Sequence, residues 1–203
     1  MKSFNDDNQL MKFAQCFIGE KLSSLERDVN ICLDSPPGAP FPAILYCFSI
    51  IDMLGSFYCG EAHGGSKNAT NSAKYMKDIM NYTEDQCILL QKIFRHKLVH
   101  LAGPNSVFEY KGDIMTWHYA HDIPERHLLL KGLPAHVKGF ISPENTKIKH
   151  RATHYFWISI KSLVEDITQS VLNPSGYFSK LSSDPTLRQK FDDAVHDMFS
   201  PNI

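Results

Sequence analysis

From Ala43 to Cys59 the chain carries a single charged residue, Asp52, and that run constrains the fold more than any other stretch. Taken as a helix opened by Pro42, which a first turn accepts, it sets Ile44, Leu45, Phe48, Ile50, Ile51, Met53, Leu54 and Phe57 on nearly every side. Such a helix is buried only if neighbours surround it, so it predicts the centre of a helical bundle. Its polar members Ser49, Asp52 and Ser56 recur at three- and four-residue steps and share one stripe. An unpaired buried carboxylate is costly, so Asp52 is expected either at the surface or beside a cation. With Asp52 inside it, the run is short for a bilayer crossing, and MKSFNDDNQL has no apolar core of signal-peptide length. The expected setting is the cytoplasm, with no membrane association.

Helical spacing accounts for most of the rest. Leu10, Phe13, Ala14, Phe17, Leu22 and Leu25 predict a first helix from Asp6 or Asp7 to about Val29, and the proline-rich stretch Asp34 to Pro40 reads as a connector. A glycine-rich loop from Gly60 to Lys67 precedes a short third helix carrying Tyr75, Met76, Ile79 and Met80. Thr83 and Gln86 form a capping-box pattern opening a fourth helix that stops at Gly103-Pro104. The period then changes: Val107, Phe108 and Tyr110, a Lys111-Gly112-Asp113 turn, and Ile114 to Tyr119 predict a β-hairpin. Residues 120–145 show no clear period. A fifth helix is expected from about Ile148 to Leu172, and Asp184-Pro185 caps a last one through Leu187, Phe191, Val195 and Phe199. The prediction is one mainly α domain over residues 1–203, an up-and-down bundle of five to six helices with a β-hairpin near 106–119 inside an insertion at about 104–141. A 203-residue chain with 43% hydrophobic and 21% charged residues can cover one such core.

Charge and cysteine usage narrow the function. A formal net charge of -1 excludes broad coating of nucleic acid, so any such contact must use a local patch. Cys16, Cys32, Cys47, Cys59 and Cys87 are odd in number, lack CxxC spacing and mostly sit in apolar helical patterns, which predicts reduced, buried thiols.

The fourth helix holds the residues with chemistry. Cys87, Leu90, Phe94, Leu98 and Leu101 make a continuous stripe at about 100° per residue. Arg95 and His100 lie off it, flanking Val99 together with Ile88, Leu89 and His96, so the second face mixes apolar and cationic groups. Lys97 falls near the edge of the core stripe, where only a snorkelling stem fits. Arg95-His96-Lys97-Leu98-Val99-His100 resembles the R-x4-H motif of HEPN domains, including a polar residue directly after the arginine and a place near the end of a bundle helix. The resemblance covers roughly Pro42 to Leu101 and leaves the hairpin and the C-terminal third unaccounted for. It implies a homodimer whose paired arginines and histidines cleave RNA with no metal and no cofactor. Some HEPN toxins carry a tyrosine two residues after the histidine; Ala102 stands there, which puts in doubt assignment to the subgroup that pairs with a nucleotidyltransferase antitoxin, and an antitoxin or regulatory protein stays open as a partner of unknown identity.

The residue types suit RNA cleavage. Attack by a 2′-hydroxyl needs a group that moves protons near neutral pH and a cation beside the phosphate, roles open to His100 and Arg95. His96, one turn before His100, can bind phosphate or carry a second proton, and Asp52 would orient the site if Arg95 or His100 pairs with it. Lys147, Lys149 and Arg151, expected to open the fifth helix, form a basic cluster that could hold an RNA backbone or simply face water.

Two other readings remain open at this level. In one, the chain is a non-catalytic helical interaction or nucleotide-binding module in which Arg95 holds a phosphate. In the other, His96 and His100, one turn apart, bind a metal in a helical bundle, although the adjacent glutamate of HExxH is missing. The run Trp117-His118-Tyr119-Ala120-His121, with His127 and His136 beyond it, reads as packing at the hairpin base. Gly60 to Lys67 is not a phosphate loop, because its Ser and Lys are transposed and a helix precedes it.

Overall fold

Leu10, Ala14, Ile18, Leu22, Leu25, Val29 and Leu33 are buried along one face of the first helix, α1 (Asp7–Asp34). That stripe continues past Val29 to Leu33, which is why α1 runs a turn longer than its spacing first suggests. The computed structural model describes residues 3–34, 38–62, 66–95, 108–120, 122–132, 140–141 and 150–200. The helical elements are α1, α2 (Pro40–Cys59), α3 (Ser66–Asp78), α4 (Glu84–Leu90) continued by a π turn (Gln91–Arg95), α5 (Ile160–Leu172), α6 (Tyr177–Ser183) and α7 (Pro185–Phe199).

The apolar helix lies at the centre as predicted, opening two residues earlier than Pro42. α2 packs against α1, α3, α5, α7 and the π turn, and buries Ile44, Phe48, Ile51, Leu54 and Phe57. Each such side chain taken from water is worth about 1.5–3 kcal/mol. By length and composition alone α2 could cross a bilayer, yet here other helices cover much of it. It ends at Gly60, whose φ of 86° is the left-handed cap that glycine adopts without strain. α2 and α3 touch at Gly55, where an added Cβ would lie 2.8 Å from the Asn71 carbonyl and the Ser72 nitrogen.

α7 starts as its sequence predicts, with Asp184 Oδ1 accepting from the Thr186 amide at 2.8 Å. It buries Leu187, Phe191, Ala194 and Val195, whereas Phe199, read as a core position, is exposed and meets Phe13 and Phe17 edge-on. The N-terminal segment is tied to α7 by Asp7 with Arg188, 2.9 Å, and by the Ser3 amide donating to Asp192, 2.8 Å. α6, a helix not predicted from the sequence, buries Tyr177 and Leu181.

The largest departure lies between α4 and α5. The hairpin forms as β1 (Phe108–Tyr110) and β2 (Asp113–Ala120), joined through Lys111 and Gly112, both at positive φ. It belongs, however, to a four-stranded mixed sheet of order β1-β2-β6-β3, with β3 (Leu130–Gly132) and β6 (His154–Ser159). β6 runs parallel to β2, pairing Thr116 with Tyr155 and His118 with Trp157, and antiparallel to β3, pairing Lys131 with Tyr155. A separate pair joins β4 (Phe140–Ile141) to β5 (His150–Arg151). The fifth helix therefore begins at Ile160 rather than at Ile148. Phe156 and Ile160 share helical spacing, but Tyr155-Phe156-Trp157-Ile158 is aromatic and β-branched, a composition that suits a pleated strand. Ser159 closes the strand and caps α5, its Oγ accepting from the Ser162 amide at 3.3 Å. Mainly helical architecture with an inserted strand unit is borne out; the insertion is a sheet, not a lone hairpin.

Candidate functional site

Arg95 stands at the end of a firmly anchored segment. The predicted capping box is formed: Thr83 Oγ1 accepts from the Gln86 amide at 3.3 Å, and Gln86 Oε1 accepts from the Thr83 amide at 2.8 Å. Cys87, Leu89, Leu90 and Ile93 are buried, and Gln91 Nε2 donates to the Ala69 carbonyl of α3. Leu89, assigned to the mixed second face, therefore belongs to the core. From Gln91 the ladder bonds five residues apart instead of four, so a 100° step no longer locates side chains beyond Leu90. Such π turns are frequent at functional sites.

The same segment is tied to the sheet. Asp85 accepts from Tyr110 Oη at 2.6 Å and pairs with Lys111 Nζ at 2.7 Å, while Lys92 Nζ lies 5.7 Å from the Tyr110 ring centre. Both donors hold the Asp85 carboxyl below its usual pKa. The β1–β2 turn is thus fastened to the first turn of α4 through Asp85.

Asp52 is half-buried and accepts a hydrogen bond from Ser72 Oγ of α3, a polar neighbour that the sequence reading did not name. The polar stripe on α2 divides: Ser49 is exposed and donates to the Leu45 carbonyl at 3.0 Å, whereas Ser56 is buried. His96, His100, Lys147 and Lys149 lie outside the described residues, as do Lys97, His121 and His136. Arg95 closes the π turn and Arg151 lies in β5, not at a helix start, because α5 begins later than predicted. Among the described residues no three His, Cys, Asp or Glu side chains converge as metal ligands. Cys47 and Cys87 are buried thiols, but Cys16 is exposed and Cys32 and Cys59 are half-buried.

A second polar cluster escaped the sequence reading. His127 Nδ1 accepts from the Ser159 amide at 3.1 Å and its Nε2 lies 3.2 Å from Asp166 Oδ2, which also accepts from Tyr82 Oη at 2.5 Å. The accepted amide proton leaves the neutral ring's own hydrogen on Nε2, facing the carboxylate. Burial first, then the Asp166 charge, pushes the Tyr82 phenol well above its usual pKa. Both ring nitrogens are engaged, so this cluster is a clamp joining the α3–α4 connection, the sheet and α5. Leu128, next to it, is held at a φ of 54°, a conformation a bulky side chain adopts only when its surroundings impose it. No spacing rule links Tyr82, His127 and Asp166, since each comes from a different element.

No protein-family model matches the chain, and neither the curated proteins nor the solved structures compared with it contain a match.

Proposed function

We propose that the chain is a HEPN-like, metal-independent endoribonuclease acting as a homodimer in the cytoplasm, with Arg95 and His100 of two copies facing one RNA strand. One observation carries this reading: the segment that delivers Arg95 is capped at Thr83, buried through Leu89, Leu90 and Ile93, and tied both to α3 and to the sheet. A cation that must meet a phosphate in a set geometry needs that kind of support.

The chemistry follows from the residue types. His100 of one copy takes the proton of the 2′-hydroxyl as its oxygen attacks the adjacent phosphorus. The bond from phosphorus to the 5′-oxygen breaks, and a second histidine, His100 of the other copy or His96, returns a proton to that oxygen. Arg95 stays charged and offers planar donors to the phosphorane oxygens. The product ends are a 2′,3′-cyclic phosphate and a free 5′-hydroxyl. Asp52, half-buried beside α3, would orient the cationic groups from α2.

The test is an RNA oligonucleotide cleaved in excess chelator, compared with the same strand carrying 2′-deoxynucleotides throughout. Cleavage of the first with cyclic-phosphate ends, and none of the second, is the expected result. Equal cutting of both, or cutting that chelator abolishes, would contradict the reading and favour a metal site. RNA binding without cleavage would favour the binding-module alternative.

A further inference from the structure

The sheet presents two unlike faces. One carries Met115, Phe156 and Ile158 into the core. The register puts Thr116, Tyr155 and Lys131 in one row on the opposite face, and His118 beside Trp157 in the next. Thr116, Ala120 and Ser159 on this face are buried, while His118 and Lys131 are exposed, and the exposed part of a sheet face normally carries polar residues. Here three rings touch: His118 and Trp157 centroids are 4.4 Å apart and nearly perpendicular, and Tyr155 lies 6.3 Å from Trp157. His118 is exposed, and Tyr155 and Trp157 are half-buried.

Cations frame the rings. The Arg126 guanidinium lies over the Trp157 indole, 4.6 Å from its centroid, and both Arg126 and Lys131 are exposed. Among the described residues no carboxylate pairs with either, whereas Lys161 is matched by Asp122 at 3.7 Å. A guanidinium resting on an indole has its orientation fixed and its edge donors free for phosphate. Tyr155 and Trp157, two positions apart on β6, stand about 6.6 Å from each other along the strand. Flat rings to stack on, beside cations able to hold a phosphate backbone, are what single-stranded nucleic acid requires.

We infer that the outer sheet face, through Tyr155, Trp157 and His118 with Arg126 and Lys131, is a platform on which bases of single-stranded RNA stack. The choice of RNA over DNA rests on the proposed nuclease activity; the stacking itself does not. In a chain of net charge -1 this patch supplies the local positive surface that an RNA contact needs.

The test titrates full-length His100→Ala protein, so that the probe stays whole, with a fluorescein-labelled oligouridylate of about 12 nucleotides. Trp157→Ala and Arg126→Ala should each weaken binding by about tenfold. Arg126→Ala or Lys131→Ala should also lower the salt dependence by about 0.7 in the logarithmic slope. RNA should quench tryptophan fluorescence, and Trp157→Phe should remove most of that quench while keeping affinity within about threefold, because phenylalanine still stacks. Trp157→Phe and the two exposed cation variants keep the test decisive if Trp157→Ala fails to fold. Annealing the probe to oligoadenylate should weaken binding at least tenfold, since paired bases cannot stack on the protein.

Absence of binding, whatever else the face holds, or equal binding of the duplex, would overturn the platform. So would affinity, slope and quench all unchanged in these variants. Cleavage by wild type that ignores the face variants would sink the platform and leave the nuclease standing. Binding that follows the variants with no cleavage by wild type would do the reverse.

Discussion

Gly55 shows how closely single positions set the packing around the site. Its missing side chain lets α2 approach the α3 backbone, and Asp52 and Ser72 meet one turn away. A methyl group there would collide with backbone atoms at 2.8 Å, which no rotamer change relieves. Gly55→Ala is expected to destabilise the fold by about 1–3 kcal/mol, measured by urea unfolding. A neutral result would mean that α2 and α3 are not locked at this crossing. A second effect at this scale is alkaline. Burial raises the Cys47 thiol to about 12, the Cys87 thiol to about 11 and the Tyr58 phenol to about 12, the last aided by Asp78. The unfolded chain loses these protons first, so stability is complete below the ordinary thiol and phenol range and is lost as pH climbs through the raised values. The urea midpoint should fall between about pH 9 and about pH 12, and a flat profile would contradict these burials. Asp52 marks a limit of sequence reading at this scale. Its need for a polar neighbour was legible from its isolation in an apolar helix; that Ser72 is one was not, because the pairing depends on how two helices cross.

The elements whose faces are decided by one repeating pattern were legible, and those decided by a neighbour were not. α1, α2 and α7 each bury a stripe that helical spacing locates, and Thr83 and Asp184 cap where expected. β6 was hidden because Phe156 also fits a helix leading into Ile160, and only pairing with β2 decides between the two. For the same reason Tyr155 and Trp157 were not recognised as one surface with His118. The π turn begins only at Gln91, so helical spacing does not place Arg95, and Leu89, in the last turn of α4, is in the core rather than on the expected second face. The tie between α4 and the hairpin yields a prediction. Lys111 and Tyr110 depress the Asp85 pKa, so the stability it gives is present above the ordinary carboxylate range and is lost as pH falls through the depressed value. Asp85→Asn should lower the melting temperature at neutral pH, with a difference from wild type that shrinks in strong acid. A difference independent of pH would show that the charge is not what joins helix and turn.

For the whole molecule, the central helix and the wrapped bundle put the start of the R-x4-H segment on a rigid base, and the sheet is fastened to that base through Asp85 and the Tyr82–Asp166–His127 clamp. A cleaving site beyond the end of α4 and a stacking face on the sheet would then belong to one unit, so that one RNA strand is held by the sheet face while it is cut at the Arg95–His100 segment. What the sequence conveyed of this was the motif and the bundle; the sheet depended on strand pairing across some 35 residues between Ala120 and Tyr155. The most direct measurement is the initial rate of RNA cleavage in excess chelator by wild type, Arg95→Ala, His100→Ala and Lys97→Ala at matched concentration. Wild type should cleave, Arg95→Ala and His100→Ala should each fall by at least about a hundredfold with unchanged melting curves, and Lys97→Ala should change little. Rates that are equal across wild type, Arg95→Ala and His100→Ala would contradict the account.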